Sequence, residues 1–216
     1  MKIITDFPIA YDSPDHLIPL GTKKDNHTNL KFVKRCENIL TKKSNGKGRI
    51  LDIGCAGGGS VEQFISRGHD AYGLEGSDYS QKNNRASWKT IPEKLFTVDA
   101  SRPFVLLDGG SVSQFDIIYS FEVMEHISKN RLPIYFSNIY LHMKKDAVFI
   151  GSYTCTASKK FPTHHQTVMS PKHWIRFIKK LKMFEIIDLK WRKDEYLRFS
   201  DKKPNCIPVA MKKNIK

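Results

Sequence analysis

The chain has 216 residues, 40% hydrophobic and 27% charged, and Lys plus Arg exceeds Asp plus Glu by 36 to 22, a formal charge of +14. That length and composition suit one globular domain with a core of its own, and argue against a disordered chain. No apolar run approaches the ~18 residues that cross a bilayer, and Asp6 sits where a secretory signal needs apolar residues.

Residues 1–25 carry Pro8, Pro14, Pro19 and Gly21 and read as punctuated, irregular chain. From Thr28 to Thr41 an apolar stripe of Leu30, Phe32, Val33, Cys36, Ile39 and Leu40 recurs near 3.6 residues and predicts a helix. A turn at 44–48 follows. Residues 49–54 then read as a buried strand running into glycines, and 61–66 as a helix. Strands are expected at 71–75, 95–99, 115–120 and 147–151, with helices at 79–88, 132–143 and 171–181. Strands near 184–189 and 207–211 resemble a closing hairpin. This alternation argues for an open α/β sheet, mostly parallel and covered on both faces. It is expected to form a single domain over 1–216, with 1–45 as an N-terminal cap segment and helix and 46–216 as the core.

The cysteines Cys36, Cys55, Cys155 and Cys206 contain no Cys-x-x-Cys pair, which fits reduced thiols in a cytoplasm. The cations are 27 Lys and 9 Arg. Lysine is a flexible point charge, whereas arginine suits bidentate phosphate contacts, so the charge reads first as a solvated surface. Attraction to an anionic substrate, RNA included, stays open as the lesser reading.

The strongest local feature is Leu51-Asp52-Ile53-Gly54-Cys55-Ala56-Gly57-Gly58-Gly59-Ser60. A strand ends, glycines turn the chain, and a helix begins, so a ligand can meet the backbone N–H groups. Glu75 closes the second strand, where an acid can accept from both ribose hydroxyls, and Gly76-Ser77 follow it. Asp99-Ala100 ends the third strand, where a carboxylate can take an adenine amino hydrogen. Asp52 offers a carboxylate to a cationic amino-acid moiety.

The run 51–58 resembles motif I of the class I S-adenosylmethionine-dependent methyltransferases. Glu75 and Asp99 are similar to that family's ribose and adenine acids, and 115–120 to its fourth strand. The resemblance implies a Rossmann-like, seven-stranded sheet with an antiparallel last strand. It also implies S-adenosylmethionine as cofactor, held by Asp52, Gly54, Cys55, Ala56, Gly57, Glu75, Gly76, Ser77, Asp99, Ala100, Ser120 and Phe121. Ala56 replaces a glycine common in the motif. A dehydrogenase shares such a loop, but too little chain remains for its substrate domain.

Glu122-Val123-Met124-Glu125-His126 follows the fourth strand. On a helix, positions i, i+3 and i+4 share a face. Glu122, Glu125 and His126 could then hold Mg²⁺ or Mn²⁺, which would lower the pKa of an acceptor hydroxyl. The pentad resembles those of ubiquinone-biosynthesis O-methyltransferases and small-RNA 2′-O-methyltransferases, the latter using a later histidine. His164 or His165 could supply it, with His165 placed in the metal set. A metal-free reading makes His126 or His164 a general base beside Glu125. Polar loops with Tyr11, Asp12, Asp15, His16 and Asn26, and from Tyr153 to Ser170, point to a hydrophilic acceptor, with Tyr11, His16 and Tyr153 as candidate contacts. The opening 12–16 together with Gly21-Thr22 loosely resembles small bacterial methyltransferases of surface-polysaccharide assembly. The expected activity is O-methylation of a sugar or phosphorylated metabolite; RNA 2′-O-methylation and a non-catalytic binding module remain alternatives.

Overall fold

A computed structural model describes residues 1–23, 29–41, 46–157, 163–190, 195 and 206–215. Thr28 and Asn26 lie outside the described residues. In chain order the strands are β1 (Lys2–Ile4), β2 (Arg49–Ile53), β3 (Asp70–Glu75), β4 (Leu95–Thr97), β5 (Val105–Asp108), β6 (Ser111–Val112), β7 (Phe115–Phe121), β8 (Met143–Thr154), β9 (Phe184–Ile187) and β10 (Cys206–Lys213). The helices are α1 (Pro14–Leu17), α2 (Leu30–Thr41), α3 (Gly59–Ser66), α4 (Tyr79–Lys82), α5 (Leu132–His142) and α6 (Pro171–Lys180).

Seven strands form the central sheet in the order β4-β3-β2-β7-β8-β10-β9. β4, β3, β2, β7 and β8 pair in parallel, while β10 runs antiparallel to both β8 and β9. The expected Rossmann-like sheet with a reversed last strand is therefore present. β10 does more than close a hairpin with β9, because it inserts between β9 and β8. Strand order changes direction between β2 and β7, and open α/β sheets bind ligands beyond the carboxyl ends of the strands at such a point.

The period of two along each strand divides the core into two layers. Leu51, Ile53, Leu74 and Ile118 face one side and pack with Tyr135, Phe136, Ile139, Trp174 and Ile178, and Phe115 joins them because the register shifts between Phe115 and Ile117. Ile50, Ile117, Tyr119 and Ile150 face the other and meet Phe32, Val33, Cys36 and Leu40 of α2 and Phe64 of α3. Phe32, Val33, Cys36 and Leu40 of the stripe read from the sequence thus form the buried face of α2, with Ile39 partly buried beside them, whereas Leu30 is exposed. Burying each such side chain contributes about 1.5–3 kcal/mol.

Three expectations are corrected. The helix expected over 79–88 is the short α4 followed by a separate 3₁₀ turn at Ala86–Trp88. Asn84 and Ala86 have φ of +48° and +46°, which stops the helix and swings Trp88 back so that its Nε1 donates to the carbonyl of Ala56 at 2.8 Å. The opening residues are not wholly irregular, since β1 pairs with β5, and β5 with β6, in a second three-stranded sheet. β8 is longer than expected, extending to Thr154 and so to the edge of the site. Among the described residues no helix is long and apolar enough to cross a membrane. The four cysteines, all among the described residues, form no disulfide.

Candidate active site

The carboxyl ends of β2, β3 and β7 open into a cavity of about 280 Å³, bounded by the glycine turn, by residues 10–22, and by the segments around 121–131 and 164–166. Its shape begins with the backbone of the turn. Gly54, at φ +88°, and Gly58, at φ +83°, occupy the left-handed region that favours glycine. A Cβ on Gly58 would stand 2.5 Å from Leu95 Cδ1. Ala56 also has positive φ, at +46°.

Glu75 braces this turn from β3. Its Oε2 accepts from the Ala56 N–H at 2.7 Å, and its Oε1 accepts from the Ser77 N–H at 3.1 Å and the Thr22 hydroxyl at 3.3 Å. Burial raises its pKa, and the Ser77 and Ala56 N–H groups partly oppose that rise. Asp99 Oδ1 accepts from the N–H and hydroxyl of Ser101, at 2.9 and 2.6 Å.

Of the twelve residues expected to hold a cofactor, Gly54, Ala56, Glu75, Gly76, Ser77, Asp99, Ala100 and Phe121 line the cavity. The other four do not. Cys55 is fully buried in the layer beneath the turn. The Ser120 hydroxyl donates to the carbonyl of Ile53 at 2.9 Å. Asp52 is buried within β2, and Gly57 accepts from Ser87 N–H through its carbonyl.

The Glu-x-x-Glu-His segment does not form the expected α-helix. Glu122 has φ +56°, and Met124–His126 make one 3₁₀ turn. The i, i+3, i+4 argument therefore fails, and Glu122 leaves the group while still lining the cavity. Glu122 Oε1 accepts from Cys206 Sγ at 2.8 Å, so the carboxylate expected in the metal set is directed toward β10. Glu125 is 1% exposed. Its Oε1 accepts from the Thr154 N–H at 3.2 Å, while its buried Oε2 has no hydrogen-bond partner among the described residues. Burial pushes its pKa up to about 7, His126 acting against the rise.

One carboxylate oxygen of Glu125 and one nitrogen each of His126 and His165 lie within 4.8 Å of one another. Of the two adjacent histidines, His165 joins this group. The buried His164 instead places Nε2 3.3 Å from the carbonyl of Ile18. The Nδ1 of His165 lies 2.7 Å from the Thr156 carbonyl, and the Nδ1 of His126 lies 2.8 Å from Asp15 Oδ2. Burial disfavours the charged form of His126, but Asp15, Glu125 and Glu122 outweigh it and hold its pKa above the usual imidazole value.

The acceptor-side expectations fare unevenly. Tyr153 is 1% exposed, stacks on Trp174 at 4.9 Å and does not line the cavity, so it packs as a core residue. Tyr11 is largely exposed and meets His16 edge-on, and His16 lies 3.9 Å from Asp78; neither lines the cavity. In their place the wall carries Asp12, Asp15, Ser128, Arg131, His164 and Gln166. Arg131 pairs with Asp12 at 2.6 Å. Nothing local in the sequence marks Arg131, because its role depends on contact with a distant segment.

A family model described as a methyltransferase domain matches residues 23–196. No curated protein sequence matches the chain. Among solved structures, the glycopeptide N-methyltransferase MtfA complexed with S-adenosylhomocysteine superposes with TM-score 0.58 at 13% identity, over 92% of this chain and 95% of that one. A TehB-like SAM-dependent methyltransferase from Corynebacterium glutamicum gives 0.55 at 16% identity, over 83% and 88%. The 1,6-didemethyltoxoflavin-N1-methyltransferase of Burkholderia thailandensis gives 0.57 at 15%, over 84% and 78%. At these identities the likeness is one of fold.

Proposed function

Because this chain belongs to the methyltransferase-domain family and is an S-adenosylmethionine-dependent methyltransferase, we propose that it methylates a hydroxyl of a polar small molecule, a sugar or a phosphorylated metabolite of the kind used in surface-polysaccharide assembly. The observation that carries this reading is a single cavity with the Gly54 turn, Glu75 and Asp99 at one end and His126 and His165 at the other. When bound, S-adenosylmethionine supplies a sulfonium-activated methyl group and departs as the neutral thioether.

Gly54 and Ala56 would let the ligand approach the backbone, Glu75 would accept from the ribose hydroxyls, and Asp99 would face the adenine. A neutral amine already carries its nucleophilic lone pair, whereas a hydroxyl must shed a proton as it attacks. A buried acid–imidazole cluster beside the cofactor end therefore favours an oxygen acceptor. His126 would take that proton, and general bases so placed contribute about 10²–10⁴-fold. The wall of Asp12, Asp15, Ser128, Arg131 and Gln166 supports a polar acceptor. In the neighbouring fold, the toxoflavin methyltransferase binds a small-molecule acceptor.

Glu125, His126 and His165 would also hold a divalent ion such as Mn²⁺ or Mg²⁺, which would lower the pKa of the acceptor hydroxyl. Two features support the fit. Glu125 Oε2 is buried without a hydrogen-bond partner among the described residues, and His165 has Nδ1 engaged by the Thr156 carbonyl, as metal-ligating histidines usually do. The close Asp15–His126 pair equally supports His126 as a metal-free base.

Calorimetry with S-adenosylhomocysteine tests the cofactor half: binding is expected, and no binding by the folded protein would end the reading. Titration with Mn²⁺, followed by electron paramagnetic resonance, separates the two versions of the acceptor half. Binding that Glu125→Gln abolishes supports the ion, and no binding leaves the base.

A further inference from the structure

The segment that leaves β4 is gripped from α5. Asn138, 6% exposed, donates through Nδ2 to the carbonyl of Ala100 at 3.0 Å and to that of Arg102 at 2.7 Å. One turn further along the same helix face, His142 Nε2 accepts from the Leu106 N–H at 2.9 Å, and its ring stacks on Phe104 at 5.1 Å. The two carbonyls that Asn138 holds belong to a tight turn. Arg102 N–H donates to the Asp99 carbonyl at 3.0 Å, and Asp99 Oδ1 accepts from the N–H and hydroxyl of Ser101. Asp99, Ala100 and Ser101 all line the cavity. Oδ1 of Asp99 is thus committed to the turn, and Oδ2, 4.0 Å from Arg102 Nε, is the oxygen for a ligand.

We propose that Asn138 is a positioning residue for adenine recognition, acting through the turn that aims Asp99. A carbonyl only accepts, so an amide between two carbonyls must turn its NH₂ toward them, and a single orientation uses both hydrogens. On the far side, the Asp99 N–H donates to the Phe7 carbonyl at 3.0 Å, so the turn is held between the N-terminal segment and α5. Without the amide, the Ala100 and Arg102 carbonyls lose that donor and the turn relaxes toward other partners, carrying the Asp99 carboxylate with it. Adenine presents a 6-amino hydrogen that a carboxylate accepts, whereas a 6-oxo purine presents an oxygen there. The aim of Asp99 is therefore read as a preference for one ring over the other. That Asp99 faces the adenine belongs to the proposed function, and the inference rests on it; the grip of Asn138 on the turn does not.

Calorimetric titration of the full chain with S-adenosylhomocysteine and with its deaminated analogue, S-inosylhomocysteine, reads this preference. Wild type is expected to favour the adenine ligand by about tenfold or more, the worth of a hydrogen bond to a charged group. Asn138→Ala should lose most of that ratio, because its affinity for the adenine ligand falls while that for the analogue holds. His142→Gln controls for a purely structural role: it loosens the same helix and the same segment, so stability should fall with the ratio unchanged. A wild-type ratio in folded Asn138→Ala, or an equal loss of ratio in His142→Gln, overturns the inference. If Asn138→Ala does not fold, Asn138→Ser, which can keep one of the two bonds, should give an intermediate ratio, and a wild-type ratio there contradicts the claim. Wild type that binds S-adenosylhomocysteine without preferring it removes the adenine role of Asp99 and this inference together. A wild-type preference that survives in Asn138→Ala removes the inference alone.

Discussion

A Cβ placed on Gly54 would stand 2.3 Å from Val123 Cγ2. The turn that begins the cofactor end and the segment that carries Glu125 and His126 are therefore in contact at a point where only a hydrogen fits. Gly54→Ala adds that collision to a φ of +88°, which costs about 1–3 kcal/mol in strain for a residue with a side chain. The variant should lose at least that much stability in urea denaturation. Its affinity for S-adenosylhomocysteine should fall by about tenfold or more, as the turn shifts. Affinity within twofold of wild type would remove the turn from the binding site.

Glu75→Gln tests whether the carboxylate is needed as a pure acceptor. Its two oxygens face the N–H groups of Ala56 and Ser77. Whichever way the amide is turned, its NH₂ meets one of these donors. Despite equal size, the substitution should cost about 2 kcal/mol of stability, the scale of a hydrogen bond to a charged group left unmade. Weaker binding of S-adenosylhomocysteine should accompany it. Equal thermal stability and affinity in the two proteins would contradict this role.

Tyr153 separates packing from recognition. Tyr153→Ala removes a fully buried ring stacked on Trp174 and should cost about 3–5 kcal/mol. Tyr153→Phe keeps the ring and should leave both stability and transfer activity near wild type. Intact stability with impaired transfer in Tyr153→Phe would return Tyr153 to the acceptor site.

His142 gives a dependence of stability on pH. Burial holds its pKa below the usual 6.5, with Lys213 acting the same way and the Asn138 carbonyl opposing. Its Nε2 accepts from the Leu106 N–H at 2.9 Å, which a protonated ring cannot do. A depressed folded pKa means that the unfolded chain takes up the proton first as pH falls. The contribution is complete above about pH 6.5 and is lost on acidification through the lower folded value, by at most about 1.4 kcal/mol per unit. Denaturation curves at pH 7.5 and 5.5 should differ less for His142→Gln than for wild type. An identical difference in both would assign the acid sensitivity elsewhere.

The sheet and its glycine turn were legible because their causes are local. A strand ending in glycines, an apolar stripe at 3.6 residues, and acids at strand ends each depend on neighbours in sequence, so Gly54, Glu75 and Asp99 could be named from the chain alone. The acceptor side was not legible in the same way. The helical geometry assumed for Glu122, Glu125 and His126 gave way to a positive φ at Glu122 and a 3₁₀ turn. That single backbone change sends Glu122 to Cys206 and leaves Glu125 and His126 to His165.

The sequence by itself determined which strands and turn would build a nucleotide-sized cleft, because backbone sterics and hydrophobic periodicity act over a few residues. Only the tertiary structure decided that His165 rather than His164 would join the cluster, that Tyr153 would be core, and that Asp15 would reach His126. Those outcomes depend on loops closing across the sheet, and the bonds that hold them join residues with no shared local pattern.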